Sequence, residues 1–353
     1  MSAYVERLNA AWVDHLAPRS DDAPTVISTF AGCGGSSLGY SMAGYRELLA
    51  VEWEQNAVDT FRLNFPDVPV YHGDIAKLSV DECLRLTGLQ PGELDVFDGS
   101  PPCQGFSTAG KRQIDDPRNQ LFREYVRLLK GLRPKVFVME NVSGMVKGKM
   151  KLVFAEILRE LKACGYRVSA RLLNAMYFHV PQSRQRMIFI GVREDLGIEP
   201  SHPGAQGRPI VFREATVGVA DEGKPLGEFL QLMGEHQPAN LWSSHPATWV
   251  HLKGNSASSL NTKWASWEET PGTIAKSWIS ISGMVHPDRQ RYWNEHELAR
   301  IGSFPDGYEW IGDLKTVISR IGNSVPPLFM RAIAEHVRAN ILQPALQSQG
   351  RKT

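Results

Sequence analysis

One cysteine, one glutamate and two arginines stand out as residues that could do chemistry. Cys103 follows Pro101 and Pro102 and precedes "QGFSTAGKRQIDDPRNQ". The prolines fix the backbone and remove two N–H donors, so a thiolate there is held rigidly beside a loop expected to move. A buried structural thiol requires neither feature. From Gly105 to Lys151 eleven Lys or Arg stand against four Asp or Glu. Basic surroundings lower a thiol's pKa and attract phosphate. A phosphatase-type C-x5-R would need arginine where Ala109 stands, and no papain-like signature is present. Glu140 ends the apolar run "KVFVMEN", where desolvation is expected to raise its pKa and make it a proton donor. Capping the next helix is the competing role. Arg184 and Arg186 in "PQSRQR" carry the alternation of a strand, which points both the same way. Two guanidiniums on one face suit carbonyl or phosphate oxygens, with a surface ion pair as the alternative.

A second group of residues has the spacing of a nucleotide-type cofactor site. "TVISTF" reads as a buried strand running into the glycine turn "AGCGGSSLG". Such glycines let the backbone approach a ligand, and the next helix offers free N–H groups. Glu52 lies twenty residues after Gly32 at the end of "ELLAVEW", where an acid typically grips ribose hydroxyls. Trp53 is placed to stack on an adenine, and Asp74 in "GDI" to reach an exocyclic amine. Ser37 stands at the third glycine position, so the dinucleotide fingerprint is incomplete and a nicotinamide oxidoreductase is disfavoured.

The elements that must position these groups alternate between strand and helix from Thr25 to about Arg193. "LDVFDGS", "KVFVMEN" and "RMIFIGV" are further strands. Leu121, Phe122, Tyr125, Leu128, Leu129 and Leu132 form one helix face, and Phe154, Ile157, Leu158 and Leu161 another. This rhythm predicts an α/β fold with a mostly parallel sheet, in which ligands bind beyond the carboxyl ends of the strands. Residues 194–286 lose the periodicity and hold Trp242, Trp249, Trp264, Trp267 and Trp278, expected in a core rather than as stacking platforms. The sequence therefore divides into an N-terminal extension (1–24), a catalytic domain (25–193), a second domain (194–286), a return segment with a final helix (287–345) and a tail (346–353). Leu8, Trp12 and Leu16 suggest a short helix in the extension.

The bulk composition excludes several classes. Charged residues make up 22% and the net charge is +1, so no partner follows from overall charge. Four cysteines without a CxxC pair argue against a disulfide framework or zinc site and fit a reducing compartment. No run approaches the ~20 apolar residues of a membrane span, and the start is not that of a signal peptide. A cytoplasmic location without membrane or metal is expected.

Taken together, the blocks resemble the DNA (cytosine-5)-methyltransferases of bacterial and phage type. "FAGCGGSSLGY", "VEWEQNA", "GDI", "GSPPCQGFS", "RNQLF", "ENV", "LNAMYFHVPQSRQRMIFIGV", "TPGTIAKS", "ELARIGSFPD" and "GNSVPP" follow in the family's order over about residues 25–340. The resemblance implies an S-adenosylmethionine-dependent, Rossmann-like fold with a smaller target-recognition domain at 194–286. It implies a cofactor pocket formed by Phe30, Gly32, Cys33, Gly34, Gly35, Glu52, Trp53, Asp74, Ile75, Pro102, Leu121, Asn323 and Val325. Cys103 would be the nucleophile, Glu140 the acid at N3 and the 4-amino group, Arg186 the holder of O2, and Arg184 a support for the site or a phosphate. Gly99-Ser100 stands where many members have Gly-Gly, and Asn294 and His296 replace a usual Thr and Arg, which leaves local contacts there open.

Double-stranded DNA is the implied substrate, with a cognate restriction endonuclease as companion and a monomer as the working state. Gln104, Ser107, Lys111 and Arg112 are the implied DNA contacts beside the cysteine. In the second domain Lys253, Asn255, Ser256, Asn261, Thr262 and Lys263 have side chains suited to bases and phosphates. Acids outnumber bases ten to six between Glu194 and His286, so affinity should come mainly from the cysteine side. The rival readings are a tRNA cytosine-5 methyltransferase on the same scaffold and a catalytically silent DNA-binding adaptor.

Overall fold

The computed structural model describes residues 1–102, 120–146, 150–226, 263–276 and 284–350. The chain forms two compact units, each assembled from separated segments. Val13–Asn174, Gln185–Ala205 and Pro327–Thr353 make the larger, and Met1–Trp12, Ala175–Arg184 and Gln206–Pro326 the smaller.

The larger unit is built on a seven-stranded sheet: β1 (Thr25–Thr29), β2 (Arg46–Glu52), β3 (Val70–His72), β4 (Val96–Gly99), β5 (Val136–Val142), β6 (Tyr166–Asn174) and β7 (Gln185–Arg193). The spatial order is β3-β2-β1-β4-β5-β7-β6. The first five strands pair in parallel, and β7 runs antiparallel to both β5 and β6. The fold is therefore α/β with a mostly parallel sheet, as the strand–helix rhythm predicts. Every residue of β1 and β4 is buried, as expected for inner strands of a parallel sheet covered on both faces, which therefore show no in/out alternation. "YRVSARLLN", which becomes β6, escapes a reading by pattern. It is an edge strand whose residues are mostly half-buried or exposed, so no apolar alternation marks it.

The connections run from β1 outward through β2 to β3, and then return to β4 and β5 on the other side of β1. The reversal opens a crevice at the carboxyl ends of β1 and β4, the usual ligand position in such sheets. The helices before β6 are α1 (Ala3–Leu16), α2 (Gly35–Met42), α3 (Gln55–Asn64), α4 (Val80–Thr87), α5 (Gln120–Leu132) and α6 (Met150–Lys162). Phe122, Tyr125, Leu128, Leu129 and Leu132 of α5 are buried in one core with Phe97 and Phe137 of the sheet.

Helix α1 forms, and of the expected face Leu8 is buried and Trp12 half-buried, but Leu16 is not. Tyr4, Val5, Leu8 and Ala11 are buried, whereas Leu16 is 63% exposed. Residues 1–12 belong to the smaller unit, where the Tyr4 hydroxyl donates to the Arg300 carbonyl.

The smaller unit contains α7 (Phe212–Ala215), the short parallel pair β8 (Lys263–Trp264) and β9 (Met284–Val285), α8 (Glu295–Ile301) and α9 (Leu314–Asn323). Phe212 packs against Trp267, His286 and Trp293 at centroid distances of 5.6, 5.3 and 5.1 Å, so Trp267 is part of an aromatic cluster. Trp242, Trp249 and Trp278 lie outside the described residues. Glu297 is buried and takes both arms of Arg291 at 2.9 Å. Asn294 caps α8, accepting from Glu297 N at 2.9 Å in a full capping box. Asparagine caps at least as well as the threonine usual there, so this departure preserves the local turn.

Candidate active site

The glycine turn between β1 and α2 depends on unusual backbone angles. Phe30, Gly32 and Gly34 have φ of 55°, 58° and 94°, a region that glycine enters freely and Phe30 enters at a cost. Glu52, at the end of β2, holds the turn in place. Its Oε2 accepts from Gly32 N at 2.8 Å, and its Oε1 accepts from Trp53 N and Glu54 N at 2.8 and 2.9 Å. A carboxylate has about four acceptor positions, so three backbone donors leave it one for a ligand.

Beside the turn lies a cavity of about 320 Å³. Phe30 contributes from just beyond β1, Val51 and Glu52 from the end of β2 with Trp53 next, and Gly73, Asp74 and Ile75 from the loop after β3. Pro102 and Leu121 close the lining. All belong to the larger unit. Trp53 is 75% exposed, an indole face presented to whatever fills the cavity. Asp74 is exposed and caps the 3₁₀ turn Ile75–Lys77, accepting from Ala76 N at 3.0 Å. Of the pocket residues expected from sequence, seven line this cavity. Val51 and Gly73 join them without any distinguishing side-chain chemistry to announce them. Cys33 is buried at the base of the turn and does not line the cavity, nor do Gly32, Gly34 and Gly35. Asn323, which ends α9, and Val325, which is buried, belong to the smaller unit.

Glu140 lies near the carboxyl end of β5 and is 9% exposed. Arg186 of β7 places Nε 2.7 Å from its Oε1. The antiparallel register causes this, since it sets Val142 opposite Arg186 and Glu140 opposite Ile188. The guanidinium supplies a counter-charge that an argument from burial alone leaves out. Asn141 donates from Nδ2 to the Pro101 carbonyl at 3.0 Å, tying the end of β5 to the prolines after β4. No local pattern in the sequence marks this tie, since its two ends come from different strands. Gly99 is required by packing. A Cβ there would stand 2.4 Å from Thr29 Oγ1 and 2.7 Å from the Tyr125 ring. Ser100, the departure from Gly-Gly, is half-buried.

Arg184 does not share a strand face with Arg186. β7 begins at Gln185, and Arg184 belongs to the smaller unit. It is 2% exposed and donates to the carbonyls of Ile274 and Gly322 at 3.3 and 3.0 Å. The alternation rule fails because the chain leaves the sheet between the two residues. Cys103, Gln104, Ser107, Lys111, Arg112, Lys253, Asn255, Ser256, Asn261 and Thr262 lie outside the described residues. Lys263 starts β8.

Behind the turn, Tyr40 of α2 donates to Asp98 of β4 at 3.2 Å, and Ser37 donates to Glu47 of β2 at 2.9 Å. Burial drives the Asp98 carboxyl well above the usual range. It also pushes Glu47 up to about 7, because one of its oxygens is closed off from water.

Fold and site define a class first: a doubly wound α/β protein with a cofactor-sized pocket at its switch point and a paired carboxylate and guanidinium at the neighbouring strand ends. Comparison with known proteins identifies the family. Residues 24–339 match the model of the C-5 cytosine-specific DNA methylases, and the chain belongs to that family; it is a DNA (cytosine-5) methyltransferase. It is 36% identical to the type II methyltransferase M1.HphI of Haemophilus parahaemolyticus, over 89% of this chain and 86% of that one. It is 32% identical to M.DdeI of Desulfomicrobium norvegicum, over 88% of each. Among solved structures, a protein described as a prophage-encoded DNA modification methyltransferase (E. coli) superimposes with a TM-score of 0.71 at 24% identity, over 91% of this chain and 100% of that one. Spodoptera frugiperda DNMT2 shares the fold at a TM-score of 0.64 and 18% identity, over 92% and 100%. No helix among the described residues is long and apolar enough to cross a membrane.

Proposed function

We propose that this enzyme methylates C5 of a cytosine flipped out of a short duplex DNA sequence, with S-adenosylmethionine as donor and Cys103 as covalent nucleophile. The observation that carries the reading is the joint placement, in one unit, of the cofactor-sized cavity, the tethered Pro101-Pro102 and the Glu140–Arg186 pair. The cavity suits the donor by its chemistry. An exposed indole offers a stacking face for a purine, Asp74 an acceptor for an exocyclic amine, and the last acceptor position of Glu52 a ribose hydroxyl. S-adenosylmethionine supplies an electrophilic methyl group when bound.

Cytosine C5 is too weak a nucleophile to take that methyl group unaided. Addition of the Cys103 thiolate to C6 forms a C–S bond and turns the ring into an enamine nucleophilic at C5. Glu140 stabilises the addition at N3 and the 4-amino group, and Arg186, which already orients Glu140, holds the O2 carbonyl. Once C5 carries the methyl group, loss of its proton to solvent re-forms the C5–C6 double bond and expels Cys103 as thiolate, which restores aromaticity. A stacked base is out of reach, so the target is extruded at a cost of a few kcal/mol. The segment after Pro102 covers it through Gln104, Ser107, Lys111 and Arg112, while residues 194–286 act as the target-recognition domain. The names of the relatives, all type II methyltransferases, favour DNA over tRNA and a companion restriction endonuclease of the same specificity.

Bisulfite sequencing of a plasmid from a methylation-deficient host expressing this chain tests the reaction. Protected cytosines in one short recurring context are expected; complete conversion with soluble, folded protein refutes it. With 5-fluorocytosine in the target, an adduct should survive denaturation and vanish in Cys103→Ala. An adduct that persists in the variant removes Cys103 as nucleophile.

A further inference from the structure

We infer that Arg127, on α5, is a positioning residue for the methyl-donor pocket, acting through the loop that carries Asp74 and Ile75. The inference rests on the reading of the 320 Å³ cavity as the donor site. Arg127 Nη2 donates to the Leu78 carbonyl at 2.8 Å and to the Ile75 carbonyl at 3.1 Å. Glu124, one turn earlier on α5, holds Arg127 Nε at 2.6 Å, so the guanidinium is aimed before it meets the loop.

The two carbonyls belong to the 3₁₀ turn Ile75–Lys77 and the residue that ends it. A turn this short satisfies few of its carbonyls internally: the Ile75 carbonyl accepts from Leu78 N at 3.2 Å, and the guanidinium adds a second donor to it and reaches the Leu78 carbonyl as well. Asp74 and Ile75, at the start of the same turn, form one wall of the cavity. The other side of the loop is held to β2 by Gly73 N, which donates to the Glu52 carbonyl at 3.0 Å. Leu121, six residues before Arg127 on α5, also lines the cavity. Arg127 thus ties the helix that supplies one pocket residue to the loop that supplies two more. It does not line the cavity, so its effect must pass through the loop backbone.

Releasing this clamp should weaken donor binding and leave the chemical step alone once donor is saturating. In Arg127→Ala, the Kd for S-adenosylhomocysteine by calorimetry and the KM for S-adenosylmethionine should both rise about tenfold, the equivalent of about 1.4 kcal/mol. The kcat at saturating donor and the KM for DNA should stay within about twofold, below the ~0.6 kcal/mol level of RT. Arg127→Lys, which retains donors, should recover most of the affinity; Arg127→Gln should recover less and serves if the alanine variant does not fold. An unchanged Kd in folded Arg127→Ala or Arg127→Gln overturns the inference. So does a joint loss of kcat, both KM values and thermal stability, which marks a merely structural arginine. Trp53→Ala in the same titration separates the two readings. If wild type does not bind S-adenosylhomocysteine, the pocket assignment fails and the clamp with it. If Trp53→Ala loses affinity while Arg127→Ala does not, the clamp alone fails.

Discussion

Glu140 and Arg186 are each readable in the sequence, but their partnership is not. They are 46 positions apart in the numbering and meet only because β7 returns antiparallel beside β5. Their 2.7 Å pair gives the acid a fixed orientation, which a general acid needs as much as a suitable pKa. Glu140→Gln should slow methyl transfer by ~10²–10⁴, the usual contribution of a positioned acid, with DNA binding intact in a gel-shift assay. An unchanged rate would reduce Glu140 to a structural partner of Arg186. The reading of Arg184 and Arg186 as a matched pair fails for the same kind of reason. Local alternation holds only within a strand, and Arg184 precedes one.

Elements explain what single residues cannot. The glycine turn, β2 and β4 enclose two carboxyl groups, Glu47 and Asp98, that pattern reading assigned to no role. Glu47 has a testable consequence. Folded, its carboxyl keeps its proton up to about pH 7, whereas an unperturbed glutamate releases it near 4.5. Between those values the native state binds more protons than the unfolded one, so this group makes stability fall as pH rises from about 4.5 to about 7, with the full penalty above. Glu47→Gln should therefore raise the thermal midpoint relative to wild type at pH 8 and much less at pH 5. The stabilisation at pH 8 should be on the order of 3 kcal/mol, since the carboxyl moves from 4.5 to about 7 at 1.36 kcal/mol per pKa unit. Equal effects at both pH values would mean that the carboxyl is solvated. Gly99→Ala tests packing at the end of β4. The added methyl has no room between Thr29 and Tyr125, and overpacking typically costs about 1–3 kcal/mol. Loss of that order in chemical denaturation is expected, with activity falling because Ser100 and the prolines before Cys103 follow directly.

For the whole molecule, the path of the chain matters more than its order. Texture divides the sequence into consecutive blocks, yet each compact unit draws on separated segments. The first twelve residues, outside the family resemblance, join the smaller unit and bury Leu8 completely. Leu8→Ala should cost about 2–5 kcal/mol, measured by urea unfolding. Leu16→Ala, which the i, i+4 stripe would rank equally, should stay within about 0.5 kcal/mol. Equal effects would return α1 to the face expected from sequence. The buried Glu297–Arg291 pair and the capping box of Asn294 show the same dependence on context. Both residues sit in a stretch where one position departs from the family's usual threonine, yet the turn is made.

What the sequence alone determined is what depends on neighbours along the chain: the α/β class, the glycine turn, the strand ends that carry Glu52, Asp74 and Glu140, and the family. Periodicity, proline and glycine act over a few residues, so these features survive without a fold. Tertiary structure decided what depends on residues far apart in sequence. It closed the cavity from the ends of four strands and one helix, paired Arg186 with Glu140, and turned Arg184 to the carbonyls of Ile274 and Gly322. It also half-buried Glu47, buried Asp98 and set Arg127 on the loop of Asp74. The physical reason is that burial and hydrogen-bond partners are properties of a position in space, and strand register, not spacing in the chain, assigns that position.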